Sequence, residues 1–268
     1  MKFSDIPNFS KSKPVSVPAK NIINVSDEKT GTKDDTIELG VSRKATYAKK
    51  NKYKPLVWFL SPNSKENASW LATKDLDSSI KNGVQILVCL QLWLSGIRTP
   101  RMFKYSFPMI SRDDPDRFDK IATVKENAEK YFPELLADCP GFKFKFTFAK
   151  HTTTKWIRMC KEHFAFFSEN LLVMTQEWNH RFPRKQHKLE SAAYWLTSEI
   201  DVSQLPNLPK GETVIPDWRQ IPPKYRLKDV FESYRRFYSI CMTDVFEAYK
   251  DLTRPVPEFI LTPRVAFD

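Results

Sequence analysis

The sequence predicts a mainly α protein: a single helical domain over residues 55–268 with one or two short strands, preceded by a disordered basic tail over residues 1–54. Three observations predict it. Apolar residues between 64 and 249 recur at the three- and four-residue spacings of helices buried along one side. Proline and turn residues cut that pattern into segments of helical length. Only 6 glycines are present and none stands in a G-x-G-x-x-G or G-x-x-x-x-G-K arrangement, which argues against the nucleotide folds that cradle phosphate on glycine loops.

Residues 1–54 carry Lys, Ser, Asn, Thr, Asp and Pro with isolated apolar positions, too little burial to offset the entropy of ordering. The basic end of this tail, Arg43-Lys44 and then Lys49, Lys50, Lys52 and Lys54, reads either as an arm lying along nucleic acid or as a solvated linker. Leu56-Val57-Trp58-Phe59-Leu60 is a short apolar run stopped by Ser61-Pro62, as in one buried strand or an extended segment running into a core. Asn63 or Ser64 caps a helix through Leu71. Leu76, Ile80, Val84, Leu87 and Leu94 mark a second helix, ended by Gly96 and Pro100, with Lys74, Asp75, Asp77, Lys81 and Gln85 on its polar face.

Arg98, Arg101, Lys104 and Arg112 then interleave with Met102, Phe103, Tyr105 and Phe107. The pattern suits phosphate contact with base stacking, and suits equally a loop that plugs its aromatics into the core. Residues 116–138 read as a helix with a proline at 133. Residues 142–148 alternate strand-like, with four Phe on one face and two Lys on the other.

The chain is organised around residues 151–190. Trp156, Cys160, Phe164, Phe167, Leu171, Met174 and Trp178 follow helical spacing and predict one central helix of roughly seven turns. Thr152-Thr153-Thr154 opens it, with Lys155, Arg158, Lys161 and Glu162 near an N-terminus that favours an anion. A basic segment from His180 to Lys188 closes the stretch. His187 opens a further helix through Ile200, and Pro206, Pro209, Pro216, Pro222 and Pro223 force an extended crossing pinned by Trp218 and Ile221. The last helix, over 228–249, puts Phe231, Tyr234, Tyr238, Cys241 and Phe246 on one face and projects Arg235 and Arg236 together.

The formal charge of +11 points to a polyanionic partner, although the tail holds +6 of it. Cys89, Cys139, Cys160 and Cys241 are far apart with no C-x-x-C pair, so neither a disulfide framework nor a zinc site is expected. The most apolar run, residues 84–94, is too short to span a bilayer, and the N-terminus lacks the apolar core of a signal peptide. The expectation is a soluble, cytoplasmic protein with no cofactor, no metal and no membrane partner.

Several short motifs carry a resemblance. They are residues 56–60, the Lys74-Asp75-Leu76 helix, His151-x-x-x-x-Trp156-Ile157-Arg158, Arg181 followed by His187-Lys188-Leu189-Glu190, Pro222-x-Lys224-Tyr225 and Tyr234-Arg235-x-x-Tyr238. Together they resemble an uncharacterised phage-encoded helical family, similar in layout to the small all-α pyrimidine-dimer DNA glycosylases. The resemblance implies a DNA repair hydrolase that binds a duplex in the host cytoplasm, flips a pyrimidine nucleotide and breaks its glycosidic bond with an amine and a carboxylate. It places that amine at the start of residues 56–60, where this chain carries a 54-residue extension. The family's Lys-His is Lys74-Asp75 here, and Met159 replaces an acidic residue.

The candidate catalytic residues are accordingly Lys74, Asp75, Asp77, His187 and Glu190. The candidate nucleic-acid contacts are Arg98, Arg101, Lys104, His151, Arg158, Arg181, Arg184, Lys185, Lys188, Arg235 and Arg236. Two other readings stand beside the enzyme: a non-catalytic nucleic-acid-binding accessory protein, marked by a continuous positive face and salt-dependent affinity, and an adaptor that binds a host or phage protein, marked by the absence of a basic groove.

Overall fold

The computed structural model describes residues 55–111, 113–133, 135, 139, 142–242, 248–249 and 255–261. The tail, Arg112, Phe246 and most of the expected chain between 243 and 254 lie outside them. The described part is mainly helical, and no strand forms among these residues. Its helices are α1 (Ser64–Trp70), α2 (Thr73–Leu94), α3 (Pro100–Ser106), α4 (Arg117–Tyr131), α5 (Thr152–Ile157), α6 (Lys161–Arg181), α7 (Glu190–Glu199), α8 (Val230–Cys241) and α9 (Glu258–Leu261).

Local chemistry sets several boundaries. Asn63 caps α1 by accepting from the amides of Lys65 and Glu66, and Asp229 caps α8 in the same way on Phe231 and Glu232. Helix α2 ends in a Schellman turn: Gly96 N–H donates to Trp93 O and Ile97 N–H to Leu92 O, with Gly96 at φ 90°. A side chain would be strained there, which is why a glycine stops this helix. At 22 residues, α2 is about 33 Å long. It packs on α5, α6 and α7, while α1 lies across α6. Gly83 permits the approach to α6, since a Cβ there would sit 2.9 Å from Leu171 Cδ1.

Both segments that read as strands are extended chain held by side chains. Residues 57–60 run buried through the core, Trp58 edge-on to Tyr238 at 4.7 Å and Phe59 edge-on to Tyr234 at 5.6 Å. Their backbone groups pair with amides and a guanidinium rather than a neighbouring strand. Leu60 N–H donates to Asn67 Oδ1 (2.6 Å), Asn67 Nδ2 donates to Trp58 O (3.2 Å) and Arg235 Nη1 to Leu60 O (3.1 Å). Gln220 and Asn82 take the N–H and C=O of Leu56. Residues 142–146 keep their in-out alternation, with half-buried Phe and exposed Lys. Here the amide of Gln85 bridges Lys143 O and Lys145 N at 3.0 Å each, standing in for one rung of a ladder.

The expected seven-turn helix is broken. Helix α5 ends at Ile157, Cys160 is fully extended (φ −160°, ψ 165°), and α6 restarts at Lys161. No proline or glycine forces the break; long-range partners hold it. Lys161 N–H donates to Pro206 O, Leu208 N–H to the Glu162 carboxylate, and Trp156 O accepts from both Met159 N–H and His163 Nδ1. In the proline-rich crossing Ile221 is buried as expected, but Trp218 is 45 % exposed. The pins are Ile221, Gln220 and Asp217, the last two bonded to the Tyr234 hydroxyl.

Candidate functional site

Helices α2, α6 and α7 bring part of the candidate catalytic set together. Asp77 forms an ion pair with Lys81 one turn along α2 and accepts from His187 Nε2 at 3.2 Å. His187 is buried, edge-on to Trp178, and its Nδ1 accepts Leu189 N–H at 3.2 Å, which fixes the proton on Nε2. Asn179 then carries the network onward, accepting His187 N–H and donating to Glu190 Oε1 at 2.8 Å. Glu190 Oε2 is buried without a partner among the described residues. Lys74 is exposed in the first turn of α2, with no hydrogen bond or ion pair to this network. Asp75 turns to the other side, buried and accepting from Tyr238 O–H, whose oxygen in turn accepts Ala72 N–H.

Burial holds the His187 pKa below its ordinary 6.5, partly offset by the bond and charge of Asp77. The unfolded chain therefore binds this proton more readily than the folded one. The stability His187 contributes is present above about pH 6.5 and is lost as pH falls through the folded value, at up to about 1.4 kcal/mol per unit. Urea denaturation between about pH 7 and 5 is expected to show this loss, and His187→Gln to flatten it while keeping a donor toward Asp77. An acid profile unchanged in the variant would contradict the assignment.

A second grouping is cationic. The Schellman turn after α2 brings Arg98 back over its own helix, so that its guanidinium lies 5.0 Å from the Trp93 ring centroid. Arg158, at the end of α5, lies over the same ring at 4.8 Å. Neither guanidinium has an ion pair or hydrogen bond among the described residues. Burial lowers the Arg158 pKa, and Cys89 beside it, its thiol donating to Lys145 O, is pushed up to about 12 by burial, so it offers no thiolate to balance the charge.

The two segments that carry these arginines supply only one sign of charge. Residues 95–111 contain Arg98, Arg101 and Lys104, and residues 142–158 contain Lys143, Lys145, Lys150, Lys155 and Arg158, with no carboxylate in either. The two segments stack on each other through Phe103 and Phe146 (5.1 Å, 13° between planes) and Phe107 and Phe144. Phe103 and Phe107 thus plug the core, while Met102 and Tyr105 stay exposed on α3, with Arg101 over the Tyr105 ring at 5.8 Å. The core-plugging reading holds for Phe103 and Phe107, and the other face of this short helix exposes Arg101, Met102, Lys104 and Tyr105.

The remaining basic candidates do other work. Arg181 is buried, with Nε on Glu177 at 2.8 Å and its other nitrogens on Leu71 O, Ala68 O and Ser69 O, where it closes the C-terminus of α1. Arg235 pairs with Glu232 and holds Leu60 O, so it is a core clasp rather than a projecting cation. Arg236 beside it is half-buried. Arg184, Lys185 and Lys188 are exposed in the turn before α7, apart from the Trp93 sandwich in sequence. His151 caps α5, its Nδ1 accepting Thr153 N–H, and burial lowers its pKa. Lys143, Lys145, Lys150 and Lys155 were not among the expected contacts, although their acid-free run was visible in the sequence.

Fold and site together define a helical protein with two acid-free basic segments stacked on each other and a partly buried carboxylate–histidine network. Comparison with protein-family models, curated proteins and solved structures finds no match to this chain. Among the described residues no helix is long and apolar enough to cross a membrane, and no group of three or more His, Cys, Asp or Glu side chains is arranged to hold a metal ion.

Proposed function

We propose that this protein is a non-catalytic nucleic-acid-binding protein that docks phosphates on the surface formed by residues 95–111 and 142–158. The observation that carries the reading is that Arg98 and Arg158 both lie over the Trp93 indole with no acid partner among the described residues, in two segments that hold eight cations and no carboxylate. With no acid to engage them, both guanidinium groups keep their forked N–H donors for phosphate oxygens. Exposed Tyr105 adds an aromatic face at the same surface. Binding is favoured over bond cleavage because both ring nitrogens of His187 are engaged and Lys74 stands apart from the network, leaving the glycosylase chemistry without an assembled amine and base.

Fluorescence anisotropy with a labelled DNA duplex and the matching single strand, between about 50 and 200 mM salt, tests the reading. If about five cations engage phosphates, log affinity for duplex falls against log salt with a slope of about −4 to −5. The double variant Arg98→Gln, Arg158→Gln is expected to reduce that slope by about 2 and to weaken binding about uniformly across sequences. Salt-insensitive binding, or none, would overturn the proposal.

A further inference from the structure

A cavity of about 800 Å³ lies between the α5–α6 break and the proline-rich crossing, away from the Asp77–His187 network. Its size is that of a small-molecule site. Trp156, Pro206, Ile215, Pro216, Trp218 and Val230 form apolar walls, and the exposed Met159, Ile215 and Trp218 are left at 57 %, 56 % and 45 % exposure. The bonds from Lys161 N–H to Pro206 O and from Leu208 N–H to the Glu162 carboxylate tie one wall to the other, so the site is formed without a ligand.

Two acceptors in the lining lack donors among the described residues. His163 is 6 % exposed, its ring stacked on Trp156 at 4.5 Å and 21°. Its Nδ1 faces Trp156 O at 2.9 Å, and because a carbonyl only accepts, Nδ1 carries the proton there. Nε2 is then the ring's acceptor; it makes no hydrogen bond among the described residues and is not sealed from solvent, so a ligand can reach it. Asp217, 3 % exposed, gives Oδ1 to the Nε and backbone N–H of Arg219, while Oδ2 has no partner. Arg219 compensates the carboxylate charge, so the wall calls for a neutral donor and not for a cation. Glu212 and Lys228 stand exposed at the same lining, one of each sign, so the rim adds no preference for a charged ligand.

We infer that this cavity binds a flat heteroaromatic small molecule that stacks its apolar faces among the tryptophans and donates a ring N–H to His163 Nε2. Stacking on Trp156 fixes the imidazole plane in advance, so the acceptor direction is set before the ligand arrives. The inference does not depend on nucleic-acid binding by the basic surface.

The test uses the full chain and two neutral probes at alkaline pH, benzimidazole and 1-methylbenzimidazole, followed by intrinsic tryptophan fluorescence. The first keeps a ring N–H and the second replaces it by a methyl. Benzimidazole is expected to bind about tenfold more tightly, and His163→Phe, which keeps a stacking ring without the acceptor, to abolish the preference. Trp218→Ala, at an exposed position, should weaken both probes alike. In the unaltered protein, the ¹⁵N resonance of His163 Nε2 should move with benzimidazole and stay in place with the methylated probe, which keeps the test valid if His163→Phe does not fold. Absence of binding by either probe, or equal binding with an unmoved resonance, would overturn the assignment.

Discussion

Arg181→Ala is expected to lower the free energy of unfolding by about 3–5 kcal/mol, the cost of breaking a buried ion pair by removing one partner. The Arg181 and Glu177 side chains are 3 % and 6 % exposed, one turn apart on α6. Without the guanidinium, a buried carboxylate loses its cation, and the carbonyls of Ala68, Ser69 and Leu71 lose their donor where α1 has run out of helical N–H groups. For a domain of this size the loss amounts to a fall in melting temperature of about 10 °C. Arg184→Ala, on an exposed turn three residues on, should stay within about 0.5 kcal/mol. Thermal melts of the two variants, with the affinity for a DNA duplex measured on each, separate the roles. A large loss of affinity in a fully stable Arg181→Ala protein would mean that this arginine serves nucleic acid after all.

Asn67→Ala is expected to cost about 3–4 kcal/mol, because the amide is fully buried and its removal strands several groups together. Leu60 N–H loses its acceptor at 2.6 Å, Trp58 O and Asn170 Oδ1 lose their donor, and water cannot reach the site to replace it. This one side chain ties the extended segment at 58–60 to α1 and, through Asn170, to α6. Urea denaturation should show a lower midpoint with an unchanged slope, the mark of lost stability in an otherwise intact fold. A midpoint within experimental error of the parent would show that the extended segment is held by its apolar packing alone.

Both predictions concern residues whose type was plain in the sequence and whose partners were not. Arg181 sits in a basic run and reads as a phosphate contact; its guanidinium is instead the cap of a helix more than a hundred positions earlier. Arg235 and Arg236 read as a projecting pair, yet the first holds Leu60 O, 175 residues away. The approach of Asp77 to His187 is equally long-range, across 110 positions: both were candidates by residue type, but nothing local marks them as a pair. The basic surface was legible in principle, because an acid-free stretch is a compositional fact. What composition could not supply was the ring stack of Phe103 on Phe146, which sets two such stretches side by side.

The sequence by itself determined the mainly helical class, a cap of α1 at Asn63 or Ser64, the stop of α2 at Gly96 and the in-out alternation of residues 142–146. Each of these depends on groups within a few residues, where steric and hydrogen-bonding preferences act directly. Only the tertiary structure decided that the two strand-like segments are extended chain and that the central helix breaks at Cys160. The reason is that a backbone N–H or C=O must be paired but does not specify with what. Arg235, Gln85, Gln220 and Pro206 supply those partners from distant parts of the chain, and no local pattern encodes which of them will arrive.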